Sequence, residues 1–189
     1  LFAHVQKLFF RLRKGRVATL YRNSSNISLT SLLEQHAGDV LYSEGMQKEK
    51  DFSQHGGISC YDHSVAVARM SVRMAQRLRL RVDMESLIRG ALLHDYFLYD
   101  WHDGKKEHNL HGFRHAKRAL QNAQRDFPLS PIAKDVICRH MFPLNIHPPR
   151  YRESYVVTVA DKVCAVREFS RSLINRLSVQ PAYIGNGGD

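Results

Sequence analysis

Gly90-Ala91-Leu92-Leu93-His94-Asp95-Tyr96-Phe97 is an apolar run that ends in an imidazole beside a carboxylate. Leu87, Ile88, Ala91 and Leu92 lead into it at helical spacing. Asp83 stands where such a helix would begin and is a good N-cap residue. The spacing therefore predicts a buried helix running from Asp83 through His94-Asp95. An ionised aspartate set beside buried leucines is costly unless something pairs with it, and a bound metal ion is one such partner.

Working outward, the same periodicity predicts further helices. Upstream, Val65, Val67, Ala68, Val72, Ala75 and Leu78 predict a helix from Tyr61 to about Leu80, with His63 in its first turn. Downstream, a helix is expected over about Phe113 to Arg125, starting near His115. Ser130 and Pro131 are a cap and first residue for the next, which ends near His140-Met141. The last long helix runs from about Glu153 to Leu177. Its β-branched first half (Val156, Val157, Thr158, Val159) would suit a strand by propensity alone. The length of its apolar pattern favours helix. Tyr99 to Leu110 and Phe142 to Arg150 read as loops. With no internal repeat and no alternation of strands and helices, the fold class is all-α.

The N-terminal part carries two more helices. Leu1 to about Arg22 reads as amphipathic, with Phe2, Val5, Leu8, Phe9 and Leu12 on one face. Ser28 to Tyr42 is the second. The expected organisation is a helical extension over 1–57, a helical domain over 58–177 and a frayed Gly-rich tail over 178–189.

Composition narrows the function classes. No apolar run approaches the roughly 18 residues of a membrane span, and Leu1–Phe10 lacks the features of a signal peptide. Cys60, Cys138 and Cys164 form no CxxC pair and no even disulfide framework, so reduced thiols in a cytoplasmic protein are expected. The formal charge of +10 admits nucleic acid, a membrane surface or an anionic substrate. The excess is concentrated early, since no acidic residue precedes Glu34.

Five of the predicted helices each bring a candidate metal ligand: His63, then His94 with Asp95, then His115, His140 and Asp161. Asp161 lies among Val157, Ala160, Val163, Cys164 and Ala165, so it should be buried. A lone buried carboxylate would cost several kcal/mol or be driven neutral; a metal or another cation removes that cost. Eleven histidines make chance His-Asp neighbours common, and His102-Asp103 in the polar loop is read as solvated.

The blocks Tyr61-Asp62-His63-Ser64-Val65-Ala66-Val67-Ala68, Ala91-Leu92-Leu93-His94-Asp95 and Val159-Ala160-Asp161-Lys162 together resemble the HD superfamily of metal-dependent phosphohydrolases. The resemblance spans about Tyr61 to Phe169 and implies a compact helical bundle and a phosphohydrolase activity. His115 and His140 resemble the further histidines of two-metal members, with His111 the alternative to His115. The sequence departs from the pattern in two places. Tyr96-Phe97 replaces the frequent Ile-Gly pair, and Met141-Phe142-Pro143 stands where cyclic-dinucleotide hydrolases carry paired histidines and a Gly-Tyr-Pro loop. A cyclic-dinucleotide substrate is therefore not expected.

On this resemblance, His63, His94 and Asp161 would hold one metal, His115 and His140 a second, and Asp95 would bridge them. A water between the metals would be ionised near neutral pH and attack phosphorus. Nitrogen and carboxylate ligands without thiolate suit one or two divalent ions of Fe, Mn, Zn, Co or Ni. Lys162, Arg139, Arg114 and His55 are the candidates for holding the phosphates of a small substrate, a nucleotide first among them. Two rival readings stay open: a catalytically silent metal- or nucleotide-binding sensor, and a nucleic-acid-binding protein acting through its basic N-terminus.

Overall fold

The computed structural model describes residues 28–54, 57–98 and 111–178, except for the side chains of 111–114 and 176–178. The expectations for residues 1–22, His55, the 99–110 loop and the tail from 179 lie outside them. The described helices are α1 (Leu29–Leu41), α2 (Glu44–Lys48), α3 (Cys60–Arg77), α4 (Met84–Leu92), α5 (His111–Asp126), α6 (Pro131–Arg139) and α7 (Arg152–Ser178). No strand occurs among the described residues; one isolated bridge joins Ser53 and Ser59. The all-α expectation holds.

Local chemistry sets where helices start. Ser28, Ser43, Ser59, Asp83 and Ser130 each sit in extended backbone just ahead of a helix, and each accepts a hydrogen bond from the amide three residues on. Each thereby satisfies one of the amides a helix start leaves without a partner. Pro131 occupies a position where its missing N–H costs nothing. The β-branched half of α7 is helical because Val156 and Val157 are buried in the core. Helix propensities differ by only a few tenths of a kcal/mol per residue, less than burying such a side chain contributes.

The bundle is built around α4. Seven of its nine residues are buried, and it packs against α1, α3, α6 and α7. A helix covered on all sides must be apolar nearly all round, which is why the decisive stretch is an unbroken run. Ser86 and Arg89 are the buried polar exceptions. Arg89 reaches out of α4 to α1, where its guanidinium donates to both Asp39 oxygens at 2.7 and 2.8 Å. That guanidinium holds the Asp39 carboxyl below its usual range. Leu33, Ala37 and Val40 of α1 enter the same core as Val67, Ile88, Val136 and Val157.

Gly90 lets α4 and α6 approach closely. A Cβ there would lie 2.7 Å from Val136 Cβ and 2.8 Å from Val136 Cγ1. Val136 is β-branched and fully buried, so it cannot turn aside. Gly90→Ala is expected to destabilise the protein by about 1–3 kcal/mol despite the better helix propensity of alanine. Adding Val136→Ala should recover part of the loss. Urea unfolding of the two variants measures both effects; an unchanged midpoint for Gly90→Ala would show that the helices separate at no cost.

Candidate metal centre

Five helices converge at the end of α4. His63 lies in the first turn of α3, His115 in α5, His140 at the C-cap of α6 and Asp161 inside α7, all facing the turn that carries His94 and Asp95. The sequence reading carried α4 through His94-Asp95, but the helix stops at Leu92, with Leu93 at its C-cap. Competition for a carbonyl explains the difference. The Ala91 carbonyl, which a continued helix would offer to the Asp95 amide, accepts instead from His94 Nδ1 at 2.8 Å. His140 repeats the device, donating from Nδ1 to the Ile137 carbonyl at 2.9 Å. Since a carbonyl only accepts, each Nδ1 carries a proton and each Nε2 is turned to the centre.

The cluster has two sides that meet at Asp95. On one side, His63 Nε2 is 3.3 Å from Asp161 Oδ1, and His94 Nε2 is 3.8 Å from the same oxygen. Asp95 Oδ2 faces this side, 3.3 Å from His94 Nε2 and 4.0 Å from His63 Nε2. On the other side, Asp95 Oδ1 is 3.3 Å from His115 Nε2 and 3.5 Å from His140 Nε2. Those two nitrogens are 2.9 Å apart. All six side chains are buried; Asp161, the most open, is 9% exposed.

Electrostatics mark a place that demands positive charge. Burial alone would raise the Asp95 and Asp161 carboxyls, yet the surrounding imidazoles hold both well below the usual carboxylate range. Burial would likewise lower His63, but Asp161 and Glu168 push it up to about 9. His94 is raised well above its ordinary value, against burial, by Asp95 and Asp161. His140, with less carboxylate around it, is lowered by burial.

The residues fit a metal on three observations. His94 Nε2 and Asp95 Oδ1 are buried with no hydrogen-bond partner among the described residues, an arrangement that costs about 1–3 kcal/mol for each group left so. Two triplets, His63–His94–Asp161 and His94–Asp95–His140, each present ligand atoms within 4.8 Å of one another. Neither triplet contains a cysteine. The donor set is therefore imidazole and carboxylate, suited to a divalent transition metal.

Neighbouring contacts fasten the ligands. Tyr96 and Phe97, the pair that departs from the family pattern, are each 1% exposed. Asn122 Nδ2 donates to both of their carbonyls, at 3.2 and 3.0 Å, and Tyr96 Oη donates to Asp126 at 3.0 Å. The Phe97 ring stands edge-on to His115, 6.1 Å between centroids. The turn bearing Asp95 is thus tied to the helix bearing His115.

Of the four candidates for substrate contact, Lys162 lies at the rim. Its Nζ donates to the His140 carbonyl at 3.0 Å and stands 3.5 Å from Asp161 Oδ2. Arg139 is committed elsewhere, pairing with Asp135 at 2.7 Å and donating to the Pro148 carbonyl at 2.7 Å. His55 and the Arg114 and His111 side chains lie outside the described residues.

Two residues at the centre, and a buried carboxylate near it, escaped the sequence reading. Glu168 accepts from His63 Nδ1 at 2.8 Å, a carboxylate–histidine pair of the sort that orients metal ligands. A signal for it existed: Glu168 is seven residues after Asp161, two turns along the same face of α7. Gln54 donates from Nε2 to Asp95 Oδ2. Glu49 accepts from the Leu98 amide at 3.1 Å, and burial pushes its carboxyl up to about 8. For these two, a polar stretch ahead of α3 held no periodic cue.

A family model described as HD domain matches residues 60–166, more than half of the chain. No curated protein and no solved structure matches it.

Proposed function

This chain belongs to the HD-domain family, whose members are generally metal-dependent phosphohydrolases, and on that premise we propose that it hydrolyses a nucleotide or another small phosphate mono- or diester. The observation that carries the reading is the pair of buried, unpartnered ligand atoms, His94 Nε2 and Asp95 Oδ1, one on each side of the cluster. His63, His94 and Asp161 would hold one divalent ion and His115 and His140 a second, with Asp95, whose Oδ2 faces the first group and Oδ1 the second, placed between them. Such ions polarise phosphoryl oxygens and make water nucleophilic near neutral pH.

The chain's own groups prepare the site. The Nδ1 hydrogen bonds of His63, His94 and His140 hold their rings in one tautomer with Nε2 inward. The ammonium of Lys162 has further donors beyond the one given to His140, and its side chain is 44% exposed. It is the group this reading assigns to an incoming phosphate. The net charge of +10 favours anionic substrates approaching from solution. Cys60, Cys138 and Cys164 form no disulfide, which fits a reducing, cytoplasmic setting.

The test is to purify the protein without chelator, measure its metal content, and screen nucleotides and a generic phosphodiester with Mn2+ added. About two transition-metal ions per chain with phosphate release is the expected result. Ions and nucleotide bound without turnover would instead identify a sensor, and absence of metal would overturn the reading.

A further inference from the structure

We propose that Gln54 is a positioning residue for Asp95, its side-chain amide setting the carboxylate plane and so which oxygen each group of ligands receives. The inference rests on the ligand assignment above. Gln54 precedes the family-matched stretch 60–166, yet it is only 8% exposed and reaches the middle of the centre.

The amide has one workable orientation. Its Nε2 donates to Asp95 Oδ2, while its Oε1 accepts from the Cys60 thiol, 3.5 Å away. Flipped, the amide would set its oxygen against the Asp95 carboxylate and lose the bond to it. The backbone beneath it is closed into a turn. The Gln54 amide donates to the Ile58 carbonyl and the Cys60 amide to the Phe52 carbonyl, both at 2.8 Å, and Ser53 bridges Ser59. Gln54 is therefore carried by the same turn that starts α3 and places His63.

The consequence for Asp95 is an asymmetry. Oδ2 is anchored by the amide, and Oδ1 is left without a hydrogen bond, toward His115 and His140. The carboxylate cannot rotate about Cβ–Cγ without breaking the Gln54 bond. A neutral donor suits this task better than lysine or arginine would: it orients the carboxylate without adding a charge that competes with a cation.

The experiment strips the full-length protein of metal and titrates it with Co2+, following heat and the visible absorption of the ion. Gln54→Ala removes both packing and the donor; Gln54→Met keeps the length and bulk and removes only the donor. Both variants are expected to bind Co2+ about 10–100-fold more weakly and to shift its absorption bands, with the ion-free thermal midpoint of the Met variant near that of the wild type. If Gln54→Ala fails to fold, the Met variant carries the comparison. Wild-type affinity and spectrum in Gln54→Met would overturn the proposal and leave Gln54 as a packing residue. Wild-type protein that takes up no Co2+ would instead overturn the metal centre, and the proposal with it.

Discussion

Replacing Asp95 with alanine is expected to remove both ions and to cut phosphate release by about three orders of magnitude or more. Among the described residues, Asp95 alone turns its two oxygens to both sides of the cluster, Oδ2 toward His63 and His94 and Oδ1 toward His115 and His140. Without it, each ion would lose a carboxylate ligand, and one side would be left with imidazoles alone. The fold should survive, because Asp95 follows the end of α4 and is no part of the apolar core. Metal analysis, turnover and far-UV circular dichroism on the same preparation separate the effects. Full metal content with normal turnover in this variant would sink the ligand assignment.

His140→Ala should act on one side only. His140 and His115 face each other through Nε2 atoms 2.9 Å apart. Two unprotonated nitrogens at that distance repel unless a proton or a cation lies between them. Removing His140 leaves His115 as the lone imidazole there, while His63, His94 and Asp161 are untouched. The expected result is a fall from about two ions to about one per chain, with turnover lowered roughly 100-fold or more. Metal analysis after equilibration with Mn2+ reads the stoichiometry directly. An unchanged ion count would place His140 outside the ligand set and make substrate contact its better role.

Much of this was legible in the residue order, for a physical reason. A helix with a buried face must repeat its apolar residues at helical spacing, so α3, α4, α6 and α7 could be read locally. Caps such as Asp83 and Ser130 act within three residues and were equally visible. The blocks around His63, His94-Asp95 and Asp161 pointed to the HD family, and the family match bears that out. Burial of Asp161 followed from its apolar neighbours on one helix.

Tertiary structure decided what depends on partners far away in the chain. The stop of α4 at Leu92 turns on whether the Ala91 carbonyl takes an amide or the His94 imidazole, and propensity does not encode that choice. Arg139 adjoins a candidate ligand in sequence but is drawn to Asp135 and Pro148, because neighbouring helix positions point about 100° apart. Glu168 and Gln54 reach the centre only because helices cross and a turn closes ahead of α3. The sequence by itself determined which residues could serve a metal. Only the packing of five helices determined how the two oxygens of Asp95 divide them, since that division is set by distances between segments that no local pattern records.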